Sequence, residues 1–184
     1  SIMVLGLDFD NTIIRYDELF HKIACEKDLI PSDLPTEKNA VRDYLREKNI
    51  EDKWTVIQGE VYGDRIREAV PFEGMLETLR ALKAKQIPIK VISHKTREPY
   101  LGPKNDLHAA AMSWLKMNHF FDPEGLNFKK NQIFFEVTKE DKIDRIKKTS
   151  CTHYVDDLPE ILEMIPDGVN KILFSPNREQ ILSK

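Results

Sequence analysis

The sequence predicts an α/β protein: a Rossmann-like parallel sheet with helices on both faces, plus a small all-helical insertion after the first strand. From residue 71 onward, short apolar stretches alternate with segments of helical spacing, which is the pattern of strand–helix units in a parallel sheet. Between residues 15 and 70, every periodic segment is helical. A chain of 184 residues is long enough for one such domain with an insertion.

The first part of the chain is expected to form one strand and three helices. Residues 2–7 are almost continuously apolar, which favours a buried strand. Apolar residues then recur at helical spacing in 16–24, in 36–45 and in 54–69, and Pro71 is expected to end the last of these helices. These helices carry too many apolar residues to be a linker.

The rest of the chain alternates between the two patterns. Runs rich in β-branched and aromatic residues predict strands, and amphipathic runs between them predict helices. In chain order, the expected elements are a helix at 75–82, a strand at 87–93, a helix at 106–118, a strand at 132–137, a helix at 140–148, a strand at 153–155, a helix at 159–165, a strand at 171–174 and a helix at 177–182. We therefore predict an α/β core domain of residues 1–14 and 71–184, and a helical insertion of residues 15–70.

The composition limits the class of protein. A net charge of −3 gives no cationic surface for nucleic acid or for an anionic membrane. No apolar run is long enough to span a bilayer and no signal peptide is visible, so we expect a cytoplasmic location. Cys25 and Cys151 lie in apolar surroundings without metal-binding spacing, which favours reduced, buried thiols.

Polar side chains lie at the carboxyl ends of three of the predicted strands. In chain order they are Asp8 with Asp10, Ser93, and Asp156 with Asp157. Each of them alone is also typical of a turn or a helix cap. In open parallel sheets, however, ligands bind beyond the carboxyl ends of the strands, so we expect these residues to meet at one edge. A lysine that opens the preceding helix, either Lys142 or Lys139, is expected to join them.

Carboxylates, a hydroxyl and an amine at one edge suit the chemistry of a phosphoryl group. Carboxylate oxygens hold Mg²⁺, and its charge offsets the repulsion between an anionic nucleophile and an anionic phosphate. A hydroxyl and an ammonium group stabilise the remaining phosphoryl oxygens. Two carboxylates at the spacing of Asp8 and Asp10 can supply a nucleophile and a proton donor.

Together these residues resemble the four ordered motifs of the haloacid dehalogenase superfamily. The matching residues are Asp8-Phe9-Asp10-Asn11-Thr12, the strand that ends at Ser93, Lys142, and Val155-Asp156-Asp157. Residues 71–79 also resemble the superfamily's approach to its second motif. The resemblance covers residues 1–14 and 71–184. Many members have glycine where this chain has Asn11 and Val155.

The resemblance implies a role for each acidic residue. Asp8 is the nucleophile and forms an aspartyl-phosphate. Asp10 protonates the leaving oxygen and then activates the hydrolytic water. The implied Mg²⁺ ligands are Asp8, the backbone carbonyl of Asp10, Asp156, and Asp157 through a water molecule.

The resemblance also implies how the phosphate is bound. Ser93 and Lys142 bind the transferring group, with Lys139 as the alternative lysine. Asn11 and Thr12 shape the loop after the nucleophile. Asn11 and His94 are predicted as further phosphate contacts.

Residues 15–70 lie where the superfamily places a mobile cap, between the first and second motifs. Such a cap excludes water and selects the leaving group, so the implied partner is a small phosphate ester. Trp54 and Tyr62 are aromatic candidates for contact with a substrate ring, although helical spacing favours core packing for Trp54. The loop after Ser93 carries several basic residues, namely His94, Lys95, Arg97 and Lys104. They form either a cationic rim for a second anionic group of the substrate, with Arg97 and Lys95 as its candidates, or an ordinary solvated charge run.

The predicted function is that of a Mg²⁺-dependent phosphatase acting on a small phosphorylated metabolite. Asp10 favours phosphatase over dehalogenase activity, because a halide leaves without a proton whereas an alkoxide needs one. A phosphomutase or phosphotransferase of the same superfamily stays open. Phosphoprotein or polynucleotide phosphatases need a more open site than the inserted helices suggest. A catalytically silent binding module would have no use for the complete set of charged residues.

Overall fold

The computed structural model describes residues 2–176 of the chain. Its strands, in chain order, are β1 (Leu5–Leu7), β2 (Ile14–Arg15), β3 (Val70–Pro71), β4 (Ile89–His94), β5 (Ile133–Glu136), β6 (His153–Asp156) and β7 (Asn170–Leu173). Its α-helices are α1 (Asp17–Glu26), α2 (Lys38–Glu47), α3 (Glu51–Tyr62), α4 (Met75–Ala84), α5 (Leu107–Met117), α6 (Lys139–Lys148) and α7 (Pro159–Met164).

Five strands form a parallel sheet in the order β5-β4-β1-β6-β7. The central strand is β1, whose Leu7 lies opposite Val91 of β4 and Val155 of β6. The chain builds outward from β1 through β4 and β5, and then returns to add β6 and β7 on the other side. A crevice forms at such a switch in strand order, beyond the carboxyl end of the central strand. The predicted parallel α/β sheet is confirmed.

Both faces of the sheet are covered. Successive strand residues point to opposite faces, so Val91 belongs to one hydrophobic cluster and Ile92 to another. The larger cluster includes Trp114 of α5, and the smaller one includes Ile146 of α6 and Ile161 of α7. This two-sided burial explains why the strands read as nearly continuous apolar runs.

Helices α1, α2 and α3 come between β2 and β3 in the chain, and they pack against one another. Arg15 of β2 pairs with Val70 of β3 in an antiparallel ladder, so the inserted segment leaves and re-enters the core at one place. Ile23 and Ile57, from α1 and α3, belong to the same hydrophobic cluster as the central strand. The division into a core domain and a cap at the predicted boundaries stays a prediction.

Several elements differ in extent from the prediction. The strand expected at 2–7 is paired only over β1, and the helix expected from residue 36 begins at Lys38. The helical stripe expected at 54–69 ends at Tyr62, and only a short 3₁₀ turn follows at Ile66–Glu68. Gly63 follows Tyr62, and the low helix propensity of glycine favours an end at that point.

The short ladder between β2 and β3 was not predicted, because two-residue strands leave no periodic pattern in a sequence. The helix predicted at 177–182 lies outside the described residues. Within residues 2–176, no helix combines the length and the apolar character needed to cross a bilayer.

Candidate active site

Asp8 and Asp10 leave the end of β1 on the same side, because alternate residues of an extended chain point in the same direction. Both carboxylates line one cavity at the carboxyl edge of the sheet. Phe9 lies between them in sequence and points the other way. Its ring makes edge-to-face contacts with the rings of Trp114 and Phe135, at centroid distances of 5.6 Å and 5.5 Å. Burial of this ring fixes which way the two carboxylates face.

A tight turn follows these carboxylates. The amide of Asp8 donates to the carbonyl of Val155 at 3.0 Å, and the amide of Thr12 donates back to the carbonyl of Phe9 at 3.2 Å. Asn11 adopts a φ of +61°, in the left-handed region that asparagine tolerates better than most residues. The turn thus accepts asparagine at a position where many proteins with the resembling motif have glycine.

Asp8 is buried and its carboxylate is held by three side chains. The hydroxyl of Ser93 donates to Oδ1 at 2.9 Å, and Nζ of Lys142 lies 3.1 Å from the same oxygen. The hydroxyl of Thr12 contacts Oδ2 at 3.4 Å. These donors come from β4, from α6 and from the turn itself, so three separate elements fix one carboxylate.

Lys142 also joins Asp8 to Asp156. Its Nζ lies 2.6 Å from Oδ2 of Asp156, whose other oxygen accepts a hydrogen bond from the amide of Leu158 at 2.9 Å. Burial alone would lower the pKa of Lys142, but the charges of Asp8 and Asp156 outweigh it and the pKa is raised. Lys142 is therefore a buried ammonium ion at neutral pH.

Asp10 is held at both of its carboxylate oxygens. The hydroxyl of Tyr16 donates to Oδ1 at 2.5 Å, and Nζ of Lys95 lies 3.1 Å from Oδ2. Burial and the neighbouring Asp10 raise the pKa of Tyr16 well above its ordinary value, so the phenol keeps its proton and acts as a donor. The ammonium of Lys95 is buried and lies 4.7 Å from the ring centroid of Tyr62.

Three carboxylates form a candidate metal site. One oxygen from each of Asp8, Asp156 and Asp157 lies within 4.8 Å of the others. Adjacent ligand oxygens of an octahedral Mg²⁺ site lie roughly 3 Å apart, so these carboxylates would draw together around the ion. Burial and the charge of Asp8 raise the pKa of Asp156, and the same causes raise that of Asp157 to about 9. A divalent cation would relieve this repulsion, and an all-oxygen donor set suits Mg²⁺.

The cavity lies between the sheet edge and the inserted helices. Its volume is about 270 Å³, and the inserted segment contributes Lys38 of α2 together with Gln58 and Tyr62 of α3. Helix α3 lies close to the loop after β4, since a Cβ atom added at Gly59 would come within 2.9 Å of Cβ of Pro99. The site is therefore lined by side chains from both segments.

No protein-family model matches the sequence, and no curated protein matches it in sequence. Solved structures, in contrast, match over almost the whole chain. A HAD family hydrolase from Deinococcus radiodurans, with bound phosphate and sodium, has a TM-score of 0.55 at 12% identity over 95% of this chain and 91% of its own. The chain has the fold of the haloacid dehalogenase superfamily.

Two further solved structures match the chain to a similar degree. A putative haloacid dehalogenase-like hydrolase from Bacteroides fragilis has a TM-score of 0.55 at 17% identity, covering 98% of this chain and 93% of its own. A hydrolase from Streptococcus pneumoniae has a TM-score of 0.56 at 13% identity, covering 100% and 99%. The haloacid dehalogenase fold that the motifs implied is thus found throughout the described part of the chain.

The structure brings most of the predicted site residues of this fold together. Those that line the cavity are Asp8, Asp10, Asn11, Ser93, His94, Lys95, Lys142 and Asp157. Asp156 is fully buried behind them and reaches the site through Lys142. Lys142 contacts the carboxylates, whereas Nζ of Lys139 lies 3.9 Å from Glu160 at the rim.

The residues of the candidate cationic rim have different surroundings in the structure. Arg97 is exposed and does not line the cavity, because the chain after β4 turns it toward solvent. Lys95 does face the cavity, but its ammonium is paired with Asp10. Burial lowers the pKa of His94, so this side chain contributes a neutral imidazole and not a cation at neutral pH.

The two aromatic candidates, Trp54 and Tyr62, have different surroundings. Trp54 is buried and stacks on Phe20 at 4.5 Å, in agreement with core packing. Tyr62 lines the cavity. Two further residues of this site were missed in the sequence: Tyr16 was assigned to a helix face, and Lys38 gave no signal beyond being a lysine at the start of a helix.

Proposed function

We propose that this protein is a Mg²⁺-dependent phosphatase that hydrolyses a small phosphate monoester through an aspartyl-phosphate on Asp8. The observation that carries the proposal is Asp10, a second carboxylate that faces the same cavity and is held at both oxygens by Tyr16 and Lys95. A nucleophile alone would serve several reactions. A positioned proton donor beside it serves one in which the leaving oxygen must be protonated.

In the first step, a carboxylate oxygen of Asp8 forms a bond to phosphorus and the ester P–O bond breaks. The departing alkoxide takes the proton of Asp10 and leaves as an alcohol. Ser93 and Lys142 now hold Asp8 from one side, and both are close enough to donate to phosphoryl oxygens as charge develops there.

In the second step, water attacks the phosphorus of the aspartyl-phosphate. Asp10, left as a carboxylate by the first step, takes a proton from this water. The bond between phosphorus and Asp8 breaks, which releases inorganic phosphate and restores both carboxyl groups to their starting states. Tyr16 and Lys95 keep Asp10 in position throughout.

The implied metal would be held by Asp8, Asp156, the backbone carbonyl of Asp10 and, through water, Asp157. When bound, Mg²⁺ supplies positive charge that offsets the repulsion between Asp8 and an anionic phosphate. The phosphate bound in the Deinococcus radiodurans structure supports an anion site in this fold.

The cavity supports a small substrate. Its volume of about 270 Å³ lies below the range of roughly 300–1,000 Å³ found for sites of drug-sized ligands. With α3 against the loop after β4, a phosphate and a leaving group of a few carbon atoms fill this space. We also propose that residues 15–70 act as the cap over a core of residues 1–14 and 71–184.

The test is a panel of phosphate esters assayed with Mg²⁺, with a chelator, and with Asp8→Asn. We expect hydrolysis by the wild type with Mg²⁺ only, and none by Asp8→Asn. Rapid acid quenching should trap phosphate on the protein of the wild type. Hydrolysis that survives either the chelator or the Asp8 substitution would contradict the mechanism.

Asp10→Asn provides a second, sharper test of the proton donor. We expect a loss of about 10²–10⁴-fold in the single-turnover rate of phosphoenzyme formation from an alkyl phosphate. The same step with p-nitrophenyl phosphate should lose much less, because p-nitrophenolate leaves without a proton. Equal losses for both esters would show that Asp10 does not protonate the leaving oxygen.

A further inference from the structure

Lys38 is the one cation of the cavity that the inserted segment supplies among the described residues. It lies at the start of α2 and lines the cavity together with Asp8, Asp10 and Ser93. It also lines an adjoining cavity of about 340 Å³ beside Asn11 and Asp157. Lys38 therefore lies on the insertion side of the proposed nucleophile and metal site.

The ammonium of Lys38 differs from the three other lysine ammonium groups of this cavity. Lys95 is paired with Asp10, Lys142 with Asp8 and Asp156, and Lys139 lies 3.9 Å from Glu160. Lys38 forms no ion pair within 4.0 Å with any carboxylate of residues 2–176. Its Nζ lies 5.9 Å from the ring centroid of Phe20, but no carboxylate of the described residues pairs with it.

The position of Lys38 is costly for the helix that carries it. It is the first helical residue of α2, and the first turn of this helix contains no acidic residue. A cation at a helix N-terminus opposes the helix dipole, typically by about 0.3–1 kcal/mol. A residue that breaks this local rule without a structural gain is a candidate for a functional role.

The backbone of Lys38 is nevertheless firmly anchored. Its amide donates to Oδ1 of Asp17 at 2.7 Å, and Oδ2 of the same buried carboxylate lies 3.1 Å from Nε of Arg15. Arg15 belongs to β2, where the insertion leaves the core. The start of α2 is therefore tied to the junction beside the active site, which fixes the base of the Lys38 side chain.

The surroundings of Lys38 favour its charged form. Burial alone would lower its pKa, but Tyr62, Asp10 and Asp157 outweigh the burial and the pKa is raised. The side chain thus stays an ammonium ion at neutral pH.

The charges of the site show what this ammonium would balance, and this step rests on the proposed function. With Asp10 protonated for the first step, Asp8, Asp156 and Asp157 carry three negative charges, against the two positive charges of Lys95 and Lys142. A divalent metal would leave this set with one net positive charge. One of the two charges of a phosphate monoester dianion would then have no partner from the core, and Lys38 is the cation left to meet it.

We propose that Lys38 is a catalytic residue that the insertion contributes, and that its ammonium binds a nonbridging oxygen of the transferring phosphoryl group. It thereby adds a cation to the oxygens that gain charge in the transition state. The phosphate, and not the leaving group, is its ligand. The insertion would then be required for the chemical step as well as for substrate choice.

Lys38→Met tests the proposal, with Lys48→Met as the matched control because Lys48 lies exposed at the other end of α2. We expect Lys38→Met to lower kcat/KM by about 10²–10³-fold. The loss should be similar for an alkyl and an aryl phosphate, since both carry the same phosphoryl group. The inhibition constant of orthovanadate should rise in parallel, and Lys48→Met should leave all these values within about 2-fold.

Two measurements separate this role from others. Mg²⁺ affinity, followed by the shift in Tm with metal concentration, should not fall in Lys38→Met, because loss of a neighbouring cation does not weaken the binding of a metal cation. A metal-dependent Tm also shows that the variant is folded. Lys38→Arg should recover at least about 10-fold of the lost activity, because it restores a cation. If Lys38→Met does not fold, Lys38→Gln and Lys38→Arg supply the same comparison of a neutral and a charged side chain.

Activity of Lys38→Met within about 3-fold of the wild type would overturn the proposal. So would a loss confined to one leaving group, because that would make Lys38 a residue of substrate selection. The proposed function fails independently, if Asp8→Asn keeps full activity. Loss of activity in Asp8→Asn together with full activity in Lys38→Met would contradict only the role proposed for Lys38.

Discussion

Asp157 illustrates how a single residue can be unfavourable for the fold and useful for the site. Its carboxyl lies among Asp8 and Asp156, and burial together with the charge of Asp8 raises its pKa to about 9. In the metal-free protein it holds a proton that it would release on unfolding, where the ordinary pKa of an aspartate is about 3.9. Between these two pKa values the folded state binds more protons, so stability falls as pH rises through this range.

Asp157→Asn should remove this part of the pH dependence. In the presence of a chelator at pH 8, we expect the variant to be more stable by about 2 kcal/mol, because a half-buried carboxyl beside two other carboxyl groups is replaced by a neutral amide. For a chain of this length this corresponds to a rise of roughly 6 °C in Tm. Mg²⁺ should raise the Tm of the wild type more than that of the variant.

The control for this prediction is Asp144→Asn, an exposed carboxylate on α6. It should leave both the pH dependence and the response to Mg²⁺ unchanged. Thermal unfolding at pH 5 to 9, with and without metal, gives the measurement. If wild type and Asp157→Asn lose stability in parallel over this range, Asp157 does not carry the raised pKa.

At the scale of elements, the contact between α3 and the loop after β4 determines how the site is covered. Gly59 lies inside α3, where a glycine normally costs about 1 kcal/mol relative to alanine. The absence of a side chain permits the helix to approach Pro99, since an added Cβ would lie 2.9 Å from Cβ and 3.1 Å from Cγ of that proline. Gln58 and Tyr62, which line the cavity, lie on the same helix.

Gly59→Ala should therefore separate stability from activity. The gain in helix propensity offsets the strain of the contact, so we expect the free energy of unfolding to change by less than about 1 kcal/mol. The helix must move away from Pro99, and a displacement of the cavity wall should lower kcat/KM by about 10-fold or more. Gly168→Ala is the control, because an added Cβ there meets no atom within 4 Å. Unchanged kcat/KM in Gly59→Ala would show that this contact does not shape the site.

At the scale of the whole molecule, the inserted helices and the sheet share one hydrophobic core. The same cluster contains Ile23, Leu45 and Ile57 from the insertion and Leu7 and Val91 from the sheet. Near the second junction, Nε1 of Trp114 donates to the carbonyl of Ala69 at 2.8 Å. A shared core of this kind couples the unfolding of its two parts.

We therefore expect one cooperative unfolding transition. Trp54 reports on the insertion and Trp114 on the sheet, and the chain has no other tryptophan. In Trp114→Phe the remaining fluorescence comes from Trp54, and in Trp54→Phe it comes from Trp114. In each variant the denaturation midpoint by fluorescence should coincide with the midpoint by far-ultraviolet circular dichroism. A Trp54 signal that changes well before the circular dichroism would show that the insertion unfolds separately.

Much of the fold is readable from the sequence because its causes are local. A strand buried on both faces is a short apolar run, and an amphipathic helix repeats its apolar residues every three or four positions. These patterns predicted the parallel sheet and most of its helices. The predicted ends of the elements were less accurate. The apolar residues keep helical spacing up to residue 69, but α3 ends at Tyr62, directly before Gly63.

The sequence by itself determined the central pair of carboxylates. Asp8 and Asp10 are two residues apart after a buried strand, so an extended backbone directs both to one side, and Ser93 and Asp156 lie at the carboxyl ends of strands that reach the same edge. Only the tertiary structure decided how each carboxylate is held. Lys95, Tyr16 and Lys38 approach from separate elements. Contacts between elements that are distant in the chain depend on packing, so no local pattern in the sequence predicts them.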